Sequence, residues 1–157
     1  MRGANRTGRP FTGDFAGDLL YATLKEFGFA RGEYAAHPND GLATVDCRIA
    51  NAVRCLPPEN KPIGAEIANC RPYLSAEISA MPNLSIVLAL GVTAHKSVLA
   101  SLGLRQNARP FAHNALHDVD GLALADSYHC SRYNTNTGRL TPEMFRAVFA
   151  SIRAHLA

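Results

Sequence analysis

The run LSIVLALG, Leu84 to Gly91, constrains the fold of this chain more than any other segment. A short unbroken apolar stretch ending in glycine reads as a strand buried on both faces, and such strands belong to parallel sheets covered by helices. GLALADSYHC, Gly121 to Cys130, has the same character, and TVDCRIANAVRC, Thr44 to Cys55, reads as a further strand with β-branched and apolar residues. Residues 14 to 29, DFAGDLLYATLKEFGF, carry Leu19, Leu20, Leu24 and Phe27 at helical spacing, with Gly28 suited to the helix end. Helices are also predicted over Ala65 to Met81, where Pro72 is expected to introduce a kink, and over Thr93 to Leu102. Thr141 followed by Pro142 opens a terminal helix with an N-cap and a proline at the first helical position. The order α-β-α-β-α-β-α predicts an α/β fold, a three-layer α/β/α sandwich with a short parallel sheet.

At 157 residues, 47% of them hydrophobic and 18% charged, the chain suits a single domain over residues 1–157 with a real core. Its net charge of +3 permits nucleic-acid binding without demanding it. No apolar run is long enough to span a membrane and no signal peptide opens the chain, so cytoplasmic residence without a membrane partner is the default expectation. The cysteines at 47, 55, 70 and 130 fit neither a secreted disulfide scaffold nor a zinc ribbon. Cys47 and Cys130 read as small buried hydrophobes within strands. A small-molecule hydrolase of the α/β type would need a G-x-S-x-G elbow, which the chain lacks.

Chemistry-bearing residues collect in loops where strands meet helices: Arg2 to Asp14, Cys55 to Gly64, and His129 to Thr141. In an open parallel sheet such loops converge at the carboxyl edge. Phe11, Asp14, Asn51, Asn60 and His129 together could hold a planar polar ring and activate a water. Simpler duties exist for several of them. Asp14 suits a plain helix N-cap, Phe11 a core position, and a lone histidine such as His129 is more often structural. Arg2, Arg6 and Arg9 suit phosphate contacts or a solvated face. SYHCSRYNTNTGRLT, Ser127 to Thr141, crowds hydrogen-bonding groups around Tyr133, Arg132 and Arg139, a composition suited to touching a polyanion.

The blocks NRTGRPFTGD, IANAVRCLPPENKP, CRPYL, VLALG and SYHCSRYNTNTGRLT, in this order through nearly the whole chain, resemble type-5 uracil-DNA glycosylases of the iron–sulfur branch of the uracil-DNA glycosylase superfamily. The TGD ending and the Asn-Thr-x-Thr-Gly-Arg run favour type 5 over type 4. The resemblance implies hydrolysis of the N-glycosidic bond of uracil in DNA during base excision repair, after the base leaves the stack. It implies that Phe11 stacks on the flipped uracil and that Asp14 positions or activates water. Asn51 would read the pyrimidine edge, Asn60 would assist catalysis, and His129 would donate to uracil O2. Arg6, Arg9, Ser131, Arg132, Tyr133 and Asn134 would grip the DNA, with a side chain of the last loop wedging into the duplex.

The resemblance also implies a [4Fe-4S] cluster with Cys55 and Cys70 as two of its four thiolates. The other two, on a C-x-x-C, and a first strand are expected upstream of Met1, so the chain reads as N-terminally truncated. The alternative reading is a catalytically impaired nucleic-acid-binding fragment of such an enzyme.

Overall fold

A computed structural model describes residues 8–53 and 63–157. The sequence reads as one domain; the chain's contacts divide into two compact units, one of residues up to Ala50 with His129–Ala157, the other of Asn51–Tyr128.

The first unit is built on two helices. Helix α1, Phe15–Glu26, begins where the Asp14 side chain accepts the Gly17 N–H, and it buries Leu20, Tyr21 and Leu24 on one face. A two-residue antiparallel ribbon follows, pairing β1, Ala30–Arg31, with β2, Ala43–Thr44. The strand expected over Thr44 to Cys55 stops there. After Val45 donates to the Phe29 carbonyl, Asp46 takes φ +50, a left-handed conformation that cannot continue an extended ladder. Cys47 therefore lies outside any strand and is only partly buried. The terminal helix of this unit, Pro142–Leu156, starts from the Thr141 cap and buries Phe145, Val148, Phe149 and Ile152. Phe149 meets Phe27, Phe29 and Phe145 with ring centroids 5.8, 6.2 and 5.2 Å away. Truncating a buried phenylalanine in such a cluster costs about 3–5 kcal/mol.

The second unit carries the sheet. Helix α2, Gly64–Ser79, runs through Pro72, and the Glu66 carboxylate accepts the Ile63 N–H at its start. Strand β3, Ile86–Leu90, leads through Gly91 at φ +94 directly into α3, Val92–Ser101. Strand β5, Leu122–Ser127, lies parallel to β3, whereas β4, Leu116–Val119, pairs antiparallel with β5, giving the order β3-β5-β4. The α/β class stands, but the sheet is mixed rather than parallel. The cause is local: Asp120 and Gly121, at φ +55 and +89, form the whole link between β4 and β5. Two left-handed residues between strands make a tight hairpin, for which Asp-Gly is a favoured pair. Ala89, Val98, Leu99, Val119 and Leu124 form this unit's core. No described helix is long and apolar enough to cross a membrane.

One close approach in the first unit fixes the loop before α1. A Cβ on Gly17 would overlap the Phe11 carbonyl and come within 2.8 Å of the Tyr34 hydroxyl. Gly17→Ala should therefore destabilise the protein by about 1–3 kcal/mol. Gly64 meets nothing within 4 Å, and Gly64→Ala should stabilise it by about 0.5–1 kcal/mol. Denaturant melts of the two variants should move in opposite directions.

Candidate active site

Phe11 and Asp14 sit on the loop that enters α1. Phe11 adopts φ +56, a left-handed conformation that costs a non-glycine residue about 1–2 kcal/mol. Local bonds hold it there. The Tyr21 hydroxyl donates to the Pro10 carbonyl at 2.6 Å, the Tyr34 hydroxyl donates to the Phe11 carbonyl at 3.4 Å, and the Gly13 N–H donates to Tyr34 at 3.3 Å. The two tyrosine rings stack at 4.7 Å. Asp14 places Oδ1 on the Gly17 N–H at 2.9 Å, while Oδ2 has no hydrogen-bond partner among the described residues. The cap duty and an open carboxylate oxygen coexist in one side chain.

Arg9 braces this loop from below. Its guanidinium donates to Asp40 through two bonds of 3.0 and 2.8 Å, to the Thr12 hydroxyl at 2.6 Å and to the His37 carbonyl at 3.1 Å. Asp40 is almost inaccessible, with 1% of its side chain exposed, and it also accepts the Ala35 and Leu42 amides. The Arg9 guanidinium and these amides hold the Asp40 carboxyl well below the usual carboxylate range. Arg9, expected at DNA phosphate, thus has internal partners. Asp40, Tyr21 and Tyr34 were not among the candidates, because nothing in their spacing ties them to the loop.

His129 belongs to the same unit, with its ring centroid 5.9 Å from that of Phe11. Burial lowers its pKa, and the charge of the Asp14 carboxylate acts in the opposite sense. Burial dominates, so the imidazole is neutral at pH 7. The polar loop after it contains a short helix, α4, Arg132–Asn136, which the sequence reading did not anticipate. Ser131 caps it by accepting the Asn134 N–H, and the Asn134 side chain donates to the His129 carbonyl at 2.9 Å. Much of the loop's polarity is therefore internal. Arg132 and Tyr133 remain exposed, Tyr133 at 73%, and the Arg132 guanidinium lies 5.2 Å from the Phe15 ring centre.

The remaining candidates divide differently. Asn51 opens the other unit and is partly buried. Arg6, Cys55 and Asn60 lie outside the described residues, whereas Cys70 is buried on α2. Helix Pro142–Leu156, α5, follows the loop directly.

A [4Fe-4S] cluster requires four thiolates, and the chain holds four cysteines. Cys130 is fully buried, its Sγ–H donates to the Ala16 carbonyl at 3.6 Å, and burial pushes its thiol up to about 12. Burial also pushes the Cys47 thiol up. Both groups thus favour the protonated thiol over the thiolate that a cluster iron would take.

Residues 1–153 match the family model for the uracil DNA glycosylase superfamily. The chain is 44% identical over 147 residues to a type-5 uracil-DNA glycosylase of Thermus thermophilus, an alignment that covers 93% of this chain and 67% of the relative. It is 40% identical over 150 residues to a type-5 uracil-DNA glycosylase of Mycobacterium bovis, covering 94% of this chain and 56% of the relative. A type-4 uracil-DNA glycosylase of Pyrobaculum aerophilum is 34% identical over 102 residues, 64% of this chain and 44% of the relative. The chain thus spans between half and about two thirds of the length of these type-5 relatives.

The Arg9–Asp40 pair carries a pH signature. A carboxylate whose pKa is lowered by folding contributes stability that is complete above its unfolded value, about 3.9, and is lost as pH falls toward the folded value. Asp40→Asn should lower the melting temperature at pH 7 and flatten the stability–pH curve below about pH 4. Thermal denaturation across that range checks both effects; a curve parallel to wild type would exclude Asp40 as the source.

Proposed function

The chain belongs to the uracil DNA glycosylase superfamily, and from that premise we propose that it hydrolyses the N-glycosidic bond of uracil in DNA, as a single functional domain, to leave an abasic site. The observation that carries this reading is the grouping of Phe11, Asp14 and a neutral His129 within one unit, with one oxygen of Asp14 open. On this reading Phe11 stacks on the extruded base, and the exposed Tyr133 and Arg132 engage the strand from which it leaves. Arg6 is a further candidate phosphate contact. Asn51 would pair with the pyrimidine edge through its amide, which can donate and accept at once. Asn60 would assist catalysis.

As the bond breaks, its electron pair passes to uracil N1 and the negative charge spreads to O2. A neutral imidazole presents one N–H to that oxygen and carries no proton that must first be shed. The sugar carbon left behind is electron-poor. The open Asp14 oxygen would stabilise it and orient a water, which adds its oxygen to that carbon and gives up a proton that, through solvent, neutralises the uracil anion. Products are free uracil and the abasic sugar.

Cys55 and Cys70 remain proposed cluster ligands only in company with thiolates other than Cys130. No step above passes through iron. A monomer acting on uracil-containing DNA is the working unit.

Asp14→Asn can keep the cap while losing the carboxylate. It should lower uracil excision about 100-fold or more while DNA binding and melting temperature stay near wild type. Alkaline strand cleavage of a labelled uracil duplex measures the first, and a binding titration the second. His129→Ala should cost about 100-fold on uracil and clearly less on 5-fluorouracil, a better leaving group. Full excision by Asp14→Asn, or equal losses on both bases for His129→Ala, would remove that residue from its role. Absence of excision by the unaltered chain, with salt-sensitive DNA binding retained, would favour the binding-fragment reading.

A further inference from the structure

The second unit holds a buried cluster that the glycosylase reading does not use. Asp126 on β5 is fully buried, and its two carboxylate oxygens face two histidines. His95 Nδ1, from the first turn of α3, lies 2.7 Å from Oδ1, and His117 Nε2, from β4, lies 2.8 Å from Oδ2. The Ala112 N–H approaches Oδ2 at 3.4 Å. On its other side, His95 Nε2 lies 2.8 Å from the Arg109 carbonyl oxygen.

A neutral imidazole has one N–H and one lone pair. Both nitrogens of His95 face oxygens, one on a carboxylate and one on a carbonyl, and the carbonyl can only accept. With Nε2–H donating to that carbonyl, the Nδ1 lone pair faces a carboxylate oxygen, and a proton shared with Asp126 or a metal ion must lie between them. A metal at Nδ1 leaves Nε2–H to donate to the Arg109 carbonyl, the arrangement that orients histidine ligands in metal sites. Asp126 and His117 Nε2 complete a set of two imidazoles and a carboxylate whose ligand atoms all lie within 4.8 Å of one another. Such a nitrogen–oxygen set suits zinc and its neighbours.

We propose that His95, His117 and Asp126 bind a divalent transition-metal ion of the zinc class, with a solvent-derived fourth ligand. Zinc–ligand bonds of about 2.0–2.2 Å set tetrahedral neighbours about 3.3 Å apart, so the present 2.7 and 2.8 Å contacts open by about half an ångström on binding. His117 is the member able to yield. It sits on the outer strand β4 of the order β3-β5-β4, and 12% of its side chain is exposed against 1% and 0% for its partners. That exposure also gives the ion its entry. The bound metal would tie the first turn of α3 to both strands of the β4–β5 hairpin.

The test uses the whole chain, stripped with chelator and titrated with Zn2+ and with Co2+. Saturable uptake of one ion is expected, with the visible bands of tetrahedral Co2+ in a nitrogen–oxygen field and a rise in melting temperature. His117→Gln, at the part-exposed position, should keep its circular dichroism spectrum and weaken uptake about 100-fold or more. Cys47→Ser, at a cysteine given no metal role, should bind as wild type. No saturable uptake, a thiolate-to-cobalt charge-transfer band in place of the nitrogen–oxygen spectrum, or unchanged uptake by His117→Gln would each overturn the site. None of these outcomes bears on Asp14 or His129, so the glycosylase reading stands or falls separately.

Discussion

The two-point ion pair between Arg9 and Asp40 is the interaction on which the candidate site rests. It joins the loop before α1 to a segment about thirty residues further on, and the same guanidinium lies 5.3 and 5.7 Å from the ring centres of Tyr21 and Tyr34. Those two hydroxyls in turn secure the Pro10 and Phe11 carbonyls. The left-handed backbone of Phe11 is unfavourable by itself and persists because several independent contacts determine it. A buried charge pair is weak evidence of net stability, since desolvation opposes attraction. Here its value is geometric. It holds the loop that carries Phe11 into the first helix.

In each unit one aspartate side chain among the described residues is shielded from solvent by its partners. Asp40 gathers a guanidinium and two amides; Asp126 gathers two imidazoles and an amide. Burying a carboxylate is costly unless its oxygens are met by donors or cations, so such a residue strongly selects one arrangement of the chain around it. In the first unit that arrangement shapes a loop before a helix. In the second it joins a helix to a hairpin.

The elements with strong local signals were legible in the sequence. The Asp14 cap with its leucine periodicity gave α1, Thr141–Pro142 gave α5, and the two apolar runs gave β3 and β5. The family resemblance carried Phe11, Asp14 and His129 as candidates, and the fold places them in one unit. Other features turned on conformations that composition does not announce. Asp46 at φ +50 ends what reads as a strand from Thr44 onward. The Asp120–Gly121 hairpin was written plainly enough, but the polar strand LHDV before it does not look buried, and β4 was missed. The Ser131 cap turns an apparently open polar loop into helix α4. Arg9 reads in the sequence as a phosphate ligand, and its pairing with Asp40, distant along the chain, has no signal in the spacing.

The cap at Asp14 has one more consequence. With Oδ1 fixed on the Gly17 N–H, the carboxylate cannot rotate freely, and the direction of its second oxygen is set by the helix itself. A free aspartate would lose rotational freedom each time it met a substrate, slowing every encounter in which it had to act. Here that freedom is surrendered once, when the chain folds, so the role proposed for Asp14 would begin from a carboxylate already aimed.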